Sequence, residues 1–382
     1  MDTAQSYPEI AELLNRMLKE RASDLYLTHG AVPSFRVDEH IVRFDCAPLN
    51  DVAINHYLDT LLTPTQRDEF DTTLEFNTAI PWGDSARFRI NVFRQQQHNG
   101  VVIRTISTQI PTIEELELPK VYSDLIMQKR GLVLVVGPTG SGKTTSLAAM
   151  IGYRNQHGYG HIVTIEDPIE YVHAHGNCIV NQRDVGIDTY SYGMALKNAL
   201  RQRPDVIVIG EVRDRETMEH AISFAETGHL CVATLHSNNA NQTIERILNF
   251  FPEEKHIQVL ANLSLNLRGI VSQRLVATRD DKKRALALEI MLNNGLIKQL
   301  IEEGKVRNIK EMIERGQSDG MCTMDQSLLE LFKAGVISQE TAIAEADNGA
   351  NMRLSLRQMS GAEIRTHTYK ISRVALKGQE DF

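Results

Sequence analysis

The feature that most limits the folds open to this chain is the octapeptide Gly137-Pro138-Thr139-Gly140-Ser141-Gly142-Lys143-Thr144, which fits the pattern G-x-x-x-x-G-K-[ST]. Its flanks are as informative as its glycines. Residues 132–136 are apolar without alternation, the pattern of a strand covered on both faces, and a helical pattern runs from 143 to about 155. A strand, a glycine-rich bend and a helix in that order bring backbone N–H groups and the positive end of a helix to one point, which suits a polyphosphate. Lys143 is then expected to reach the β- and γ-phosphates and the Thr144 hydroxyl to ligate Mg²⁺, with residues 137–144 and Thr145 cradling ATP.

The stretch after this loop alternates strand and helix patterns: strand 161–165, helix 190–202, strand 205–209, helix 214–227 and strand 230–235. That alternation predicts a parallel α/β sheet, in which ligands sit beyond the carboxyl ends of the strands. Chemistry-bearing residues collect at those ends. The first strand closes on Glu166, Asp167 and Glu170, and the second on Glu211 with Arg213 following. His236 follows the third. Carboxylates there can hold Mg²⁺ or orient a water, and a histidine can sense a γ-phosphate or carry a proton. Asp205 precedes its apolar run and reads as a strand-start residue.

Residues 1–107 follow a different grammar. Ile10, Leu13, Leu14, Met17 and Leu18 form an apolar helical stripe. Strand patterns at 24–27, 34–37, 41–44, 75–80, 87–93 and 101–106 surround helices at 51–62 and 64–70, the order of a small α+β domain. Strict alternation from Arg87 to Phe93 puts Arg87, Arg89 and Asn91 on one face of a strand. Pro111, Pro119 and an acidic stretch at 114–117 suit either a linker over 108–120, possible site of a hinge, or an ordinary surface loop. Residues 121–347 read as the nucleotide domain, mostly helical from 256 onward. Residues 348–382 read as a basic tail, with six basic residues and one acid between 353 and 377. Such a tail suits a partner or a membrane surface, and equally a solvated end.

A net charge of −8 argues against a protein coated for duplex nucleic acid. Cys46, Cys178, Cys231 and Cys322 form no C-x-x-C pair, which leaves out a zinc knuckle and a disulfide framework. The start of the chain, with Asp2 and Glu9, shows no basic and apolar targeting pattern. No apolar run approaches the about 20 residues of a membrane span, so any membrane association is expected to be peripheral. His157, His161, His173 and His175 read as surface histidines, because their spacing fits no zinc pattern.

Taken together, the loop 137–144, Thr164-Ile165-Glu166-Asp167-Pro168-Ile169-Glu170-Tyr171, Ile209-Gly210-Glu211-Val212-Arg213-Asp214 and Ala225-Glu226-Thr227-Gly228-His229-Leu230 with Thr234-Leu235-His236 resemble the Walker A, Asp box, Walker B and His box of the secretion-superfamily ATPases. These are the motors of type II secretion and type IV pili, and the likeness runs from about 9 to 347. Within them the chain resembles the type IV pilus retraction branch, the PilT/PilU family. The four-cysteine zinc module usual in assembly and type II secretion motors is not spelled here. Residues 295–305 resemble the retraction family's helix, departing at Leu296 and Glu302 among others. Chain length and the basic tail place the sequence nearer the PilU side of the branch.

The resemblance implies a PAS-like N-terminal domain, a RecA-like P-loop motor domain and a homohexamer. It further implies a sister retraction ATPase and an inner-membrane platform protein as partners, a cytoplasmic location at the inner membrane, and no nucleic acid. Glu170, Glu211 and His236 would serve catalysis, and Arg89 and Arg104 would be arginine fingers. Glu166, Asp167, Arg213 and His229 would line the nucleotide pocket. Three other readings stay open from the sequence: a nucleotide-bound regulatory subunit without its own turnover, an assembly or secretion ATPase, and a helicase, which the acidic balance disfavours.

Overall fold

The computed structural model describes residues 7–37, 40–83, 86–106, 109–280, 283–360 and 375–376. They fall into two compact units: residues up to 109 together with 170–172, and residues 110–169 together with those from 173 onward.

The first unit contains α1 (Ile10–Glu20), β1 (Asp24–Thr28), β2 (Ser34–Val37), β3 (His40–Arg43), α2 (Asp51–Leu61), α3 (Pro64–Thr73), β4 (Glu75–Trp82), β5 (Ala86–Gln95) and β6 (His98–Ile106). The strands form an antiparallel sheet in the order β3-β2-β1-β6-β5-β4. Alternation along β5 buries Phe88, Ile90 and Val92 in a core shared with Leu13, Leu14 and Met17 of α1. Helix starts are fixed locally. The Asn50 side chain accepts the Ala53 N–H, and Thr63 and Gln66 form a reciprocal capping box ahead of Pro64.

The second unit contains α4 (Val121–Ile126), β7 (Gly131–Val136), α5 (Lys143–His157), β8 (Gly160–Glu166), β9 (Cys178–Asp184), α6 (Tyr192–Ala199), β10 (Val206–Ile209), α7 (Arg215–Glu226), β11 (Leu230–Leu235), α8 (Ala240–Asn249), α9 (His256–Asn266), β12 (Leu267–Ala277) and β13 (Arg284–Leu292). It ends with α10 (Gly295–Glu302), α11 (Ile309–Arg315), α12 (Met324–Lys333), α13 (Gln339–Glu345), α14 (Gly349–Ser360) and β14 (Ala375–Leu376). The sheet order is β14-β13-β12-β7-β11-β10-β8-β9. It is parallel from β12 to β9 and antiparallel at β13 and β14. Alternate residues of β7 enter two different cores: Leu132, Leu134 and Val136 on one face, Val133 and Val135 on the other. That double covering is why the run carries no polar alternation.

Several expectations need correction. The region from 256 onward is not mostly helical, because β12 and β13 supply two long strands. Polar residues hid β12: Ser272 and Gln273 are buried, Ser272 donating to the Asn238 carbonyl at 2.7 Å and the Gln273 amide to Ser146 Oγ at 2.7 Å. β9 also went unread. Residues 110–120 are not a bare connector, since Ile113, Leu116 and Leu118 are buried in the second unit's core; positions 107 and 108 lie outside the described residues. Of the basic tail, α14 packs Met352 and Leu356 against a core with Leu328 and Leu331, leaving Arg353 and Arg357 exposed. Arg365, Lys370, Arg373 and Lys377 lie outside the described residues. In α10, Ile297 and Ile301 are buried and Leu296 is exposed. Among the described residues no helix is long and apolar enough to cross a membrane.

Glu289 of β13 is a buried carboxyl, 2% exposed. It accepts the N–H of Ala240, the first residue of α8, at 2.8 Å, and a backbone hydrogen bond from Met324, the first residue of α12. Burial, the dominant influence, pushes it up to about 7; Asp347 acts in the same direction, and these N–H groups and Lys310 oppose it.

Candidate nucleotide site

The glycine-rich loop joins β7 to α5 and rests on β12. Gly137 has φ 152°, and a Cβ there would lie 2.4 Å from the Gln273 carbonyl oxygen and 2.5 Å from Ser141 Oγ. Only glycine fits that close approach. Gly140 and Gly142 take φ of 75° and 82°, which turn the chain into the helix. Pro138, Thr139 and Gly140 form an exposed crest. Beneath it the Lys143 ammonium donates to the carbonyls of Gly137 and Pro138, each at 2.8 Å. Thr144 and Thr145 are half-buried in the first turn of α5. Ser141 Oγ is buried and makes no hydrogen bond among the described residues. A cradle that a Cβ would fill, a lysine at its mouth and an orphaned hydroxyl fit a polyphosphate, and the Thr144 hydroxyl fits its accompanying Mg²⁺.

Parallel register aligns the neighbouring strand ends. Ile209 of β10 pairs with Ile165 of β8 and Ala233 of β11, and Leu235 pairs with Val136 beside the loop. Four residues past those ends make one polar chain. Glu211 Oε1 lies 2.9 Å from His236 Nε2, and Glu211 Oε2 accepts from Arg213 Nε at 2.6 Å. Arg213 Nη1 reaches Asp167 Oδ2 at 3.2 Å. Thr234 Oγ1 donates to the Gly210 carbonyl, tying β11 to the base of the Glu211 turn. The Glu211 hydrogen bond, ahead of its charge and that of Asp167, holds the Arg213 guanidinium above its ordinary value against desolvation. Glu211 is thus a carboxylate flanked by a histidine and an arginine, suited to holding a water or its proton.

The remaining candidates are placed differently. Glu166 accepts from Thr164 Oγ1 at 2.7 Å and from Gln182 Nε2 at 3.2 Å, so its carboxylate engages its own sheet. Glu170 is exposed and belongs to the segment grouped with the first unit. His229 precedes β11, while His236 follows it. Its Nδ1 lies 3.1 Å from Thr227 Oγ1, and its neighbour Leu230 pairs with Gly131 at the start of β7. Six strand residues, about 20 Å at 3.3 Å each, separate it from the loop's end of the sheet, so the structure does not bring His229 to the other candidates. Arg89 and Arg104 are cross-strand partners on β5 and β6. Arg104 Nε donates to the buried Asp24 at 2.8 Å. His173, read as a surface residue, is buried, which pushes it down to about 4.

Sequence reasoning missed Gln273, whose carbonyl sits under Gly137 and whose amide fixes Ser146 of α5. It also missed Tyr192, a phenol pushed up by burial first and then by Asp167. Reading β12 as a strand would have flagged the first; no pattern marks the second.

Residues 2–375 match the family model for type II/IV secretion system proteins. The chain is 49% identical over 349 residues to the type IV pilus ATPase PilU of Pseudomonas aeruginosa, covering 91% of each. It is 43% identical over 338 residues to the type IV pilus retraction ATPase PilT of the same bacterium, covering 88% of this chain and 98% of that one. The crystal structure of the pilus retraction motor PilT with bound ADP matches with a TM-score of 0.84 at 39% identity, over 90% of this chain and 98% of the other. The α/β class read from the sequence, a P-loop unit preceded by an α+β unit, is therefore that of a solved relative. With the phosphate loop seated on β12 and the strand-end acids aligned beside it, the protein belongs to the type II/IV secretion system protein family.

Proposed function

We propose that the chain is an ATP-hydrolysing motor that powers type IV pilus retraction, a PilU-like subunit working beside a sister retraction ATPase. The observation that carries this reading is the Asp167–Arg213–Glu211–His236 chain at the strand ends that flank the phosphate loop; the pilus ATPase relatives support it.

On this reading Lys143 exchanges the Gly137 and Pro138 carbonyls for the β- and γ-phosphates, and the loop amides hold the rest. Thr144 would ligate Mg²⁺, which would supply charge neutralisation on the phosphate oxygens. Glu211 orients the attacking water and takes up its proton, and His236 stabilises the resulting charge arrangement through Nε2. Glu170 is a second acid for the water, Glu166 and Asp167 shape the pocket, and Arg213 holds Asp167 and Glu211 in place. Charge spreading over the γ-phosphoryl oxygens calls for more cations than the loop supplies. Arg89 and Arg104, brought to the nucleotide in a homohexamer, meet that need, and Arg104 must then leave Asp24. Residues 1–107 act as one moving body and 110–347 as the other, with 110–120 moving as part of the second, and 348–382 serve as a contact region for a partner. The assembly works in the cytoplasm, peripheral at the inner membrane, against a platform protein and without nucleic acid.

Phosphate release by the purified chain, alone and with the sister motor, tests turnover. Deletion of the gene with a twitching assay and a count of surface pili tests the biology. Normal motility with normal pili would remove retraction from contention, and turnover only by the sister motor would leave a regulatory subunit.

A further inference from the structure

We propose that His29, Asp51 and His98 of the first unit form a binding site for one divalent transition-metal ion of the zinc class. The three come from separate places in the chain: the loop between β1 and β2, the first residue of α2, and the first residue of β6. The fold itself brings them together. β1 lies beside β6, with Thr28 opposite Gly100. The β5–β6 turn passes through Gln96 and Gln97, both left-handed at φ 47° and 68°, before reaching His98. Asn50 caps α2 and thereby places Asp51 in its first turn.

Both imidazoles aim the same nitrogen at one oxygen. His29 Nδ1 lies 2.9 Å and His98 Nδ1 2.8 Å from Asp51 Oδ1, and His98 Nδ1 also lies 3.1 Å from Oδ2. The rings stack with centroids 3.7 Å apart and planes 9° apart. Among the described residues this is the one group of three or more His, Cys, Asp or Glu whose donor atoms all lie within 4.8 Å of one another. Ligand atoms around a zinc-class ion at about 2.0–2.1 Å stand roughly 3 Å apart, so the two N···O separations already match a coordination edge. The in-plane lone pairs of the stacked rings lie in near-parallel planes, so taking up an ion would require both rings to swing out of the stack.

Two imidazoles and a carboxylate suit zinc, nickel or copper, whereas Mg²⁺ and Ca²⁺ prefer an all-oxygen shell. The residues are half-exposed, at 35%, 51% and 35%, which gives an ion a route in and leaves positions for water. Each ring N–H can also donate to the carboxylate, a contact that an ion would replace. A cation there would stitch three segments of the first unit together, independently of the nucleotide.

The test uses the full-length chain without an affinity tag, titrated with Zn²⁺ calorimetrically in excess Mg²⁺. Co²⁺ spectra then report the coordination. Wild type should take up one equivalent that His29→Ala/His98→Ala loses and Asp51→Asn weakens by at least about tenfold. Zn²⁺ should raise the melting temperature of wild type but not of the double variant. Asp51→Asn retains both rings, so it keeps the test decisive should the double variant fail to fold. Absence of micromolar Zn²⁺ binding, or equal binding and equal melting shifts in wild type and variants, would overturn the site.

Discussion

Glu289→Gln should remove one pH-dependent contribution to stability, that of a single buried carboxyl. The wild-type carboxyl rises from 4.5 to about 7 on folding, mainly because burial penalises its charged form. A raised acid binds its proton more tightly in the folded state. The protonated group's contribution is therefore fully present below pH 4.5 and is lost as pH rises through 7. At about 1.36 kcal/mol per pH unit, the span corresponds to roughly 3 kcal/mol, an order-of-magnitude figure. Glutamine keeps an oxygen for the Ala240 N–H and removes the charge, whereas leucine would orphan that donor and the Met324 N–H as well. Urea unfolding followed by tryptophan-independent circular dichroism at pH 5 and pH 8.5 reads the difference. The variant should match wild type at pH 5 and exceed it by up to about 3 kcal/mol at pH 8.5. Parallel pH profiles for the two proteins would show that the buried carboxyl does not titrate as the geometry requires.

Other substitutions probe other elements. Lys143→Ala should abolish nucleotide binding or turnover while leaving thermal unfolding near wild type; full ATPase activity in this variant would refute the site. Gly137→Ala forces a methyl group into the Gln273 carbonyl at a φ that costs a side chain on the order of 1–3 kcal/mol. It should weaken nucleotide binding in a fluorescent-analogue titration, and unchanged affinity would contradict the loop's fit on β12. Phe88→Ala removes a wholly buried ring from the first unit's core and should cost about 3–5 kcal/mol in denaturant unfolding. A loss below about 1 kcal/mol would mean that this core does not depend on the ring.

The legible strands of the second unit's sheet share one property, burial on both faces, whereas β2 and β5 of the first unit were legible through alternation. β11 was read at its observed bounds, and β8, β10 and α7 within a residue or two, because continuous apolar runs and caps such as Asp214 announce themselves locally. β12 was not, since Ser272 and Gln273 find their partners on distant segments, and a buried polar residue looks exposed until those partners are known. At the site, parallel strands made the grouping of Asp167, Glu211, Arg213 and His236 foreseeable. His229 was within reach of the same logic, because a residue that precedes a strand stands at the opposite end from one that follows it. Side-chain placements were not foreseeable, such as Glu166 turned to Thr164 and Gln182, or Arg104 held by Asp24.

The two carbonyls beside Lys143 have a consequence for what position 143 can hold. An ammonium at 9% exposure is costly to hold without polar partners. Two backbone oxygens of the same loop, those of Gly137 and Pro138, accept from it at 2.8 Å each. The loop's own backbone thus helps a buried cation to be tolerated at position 143, where an apolar side chain would leave both carbonyls without that donor.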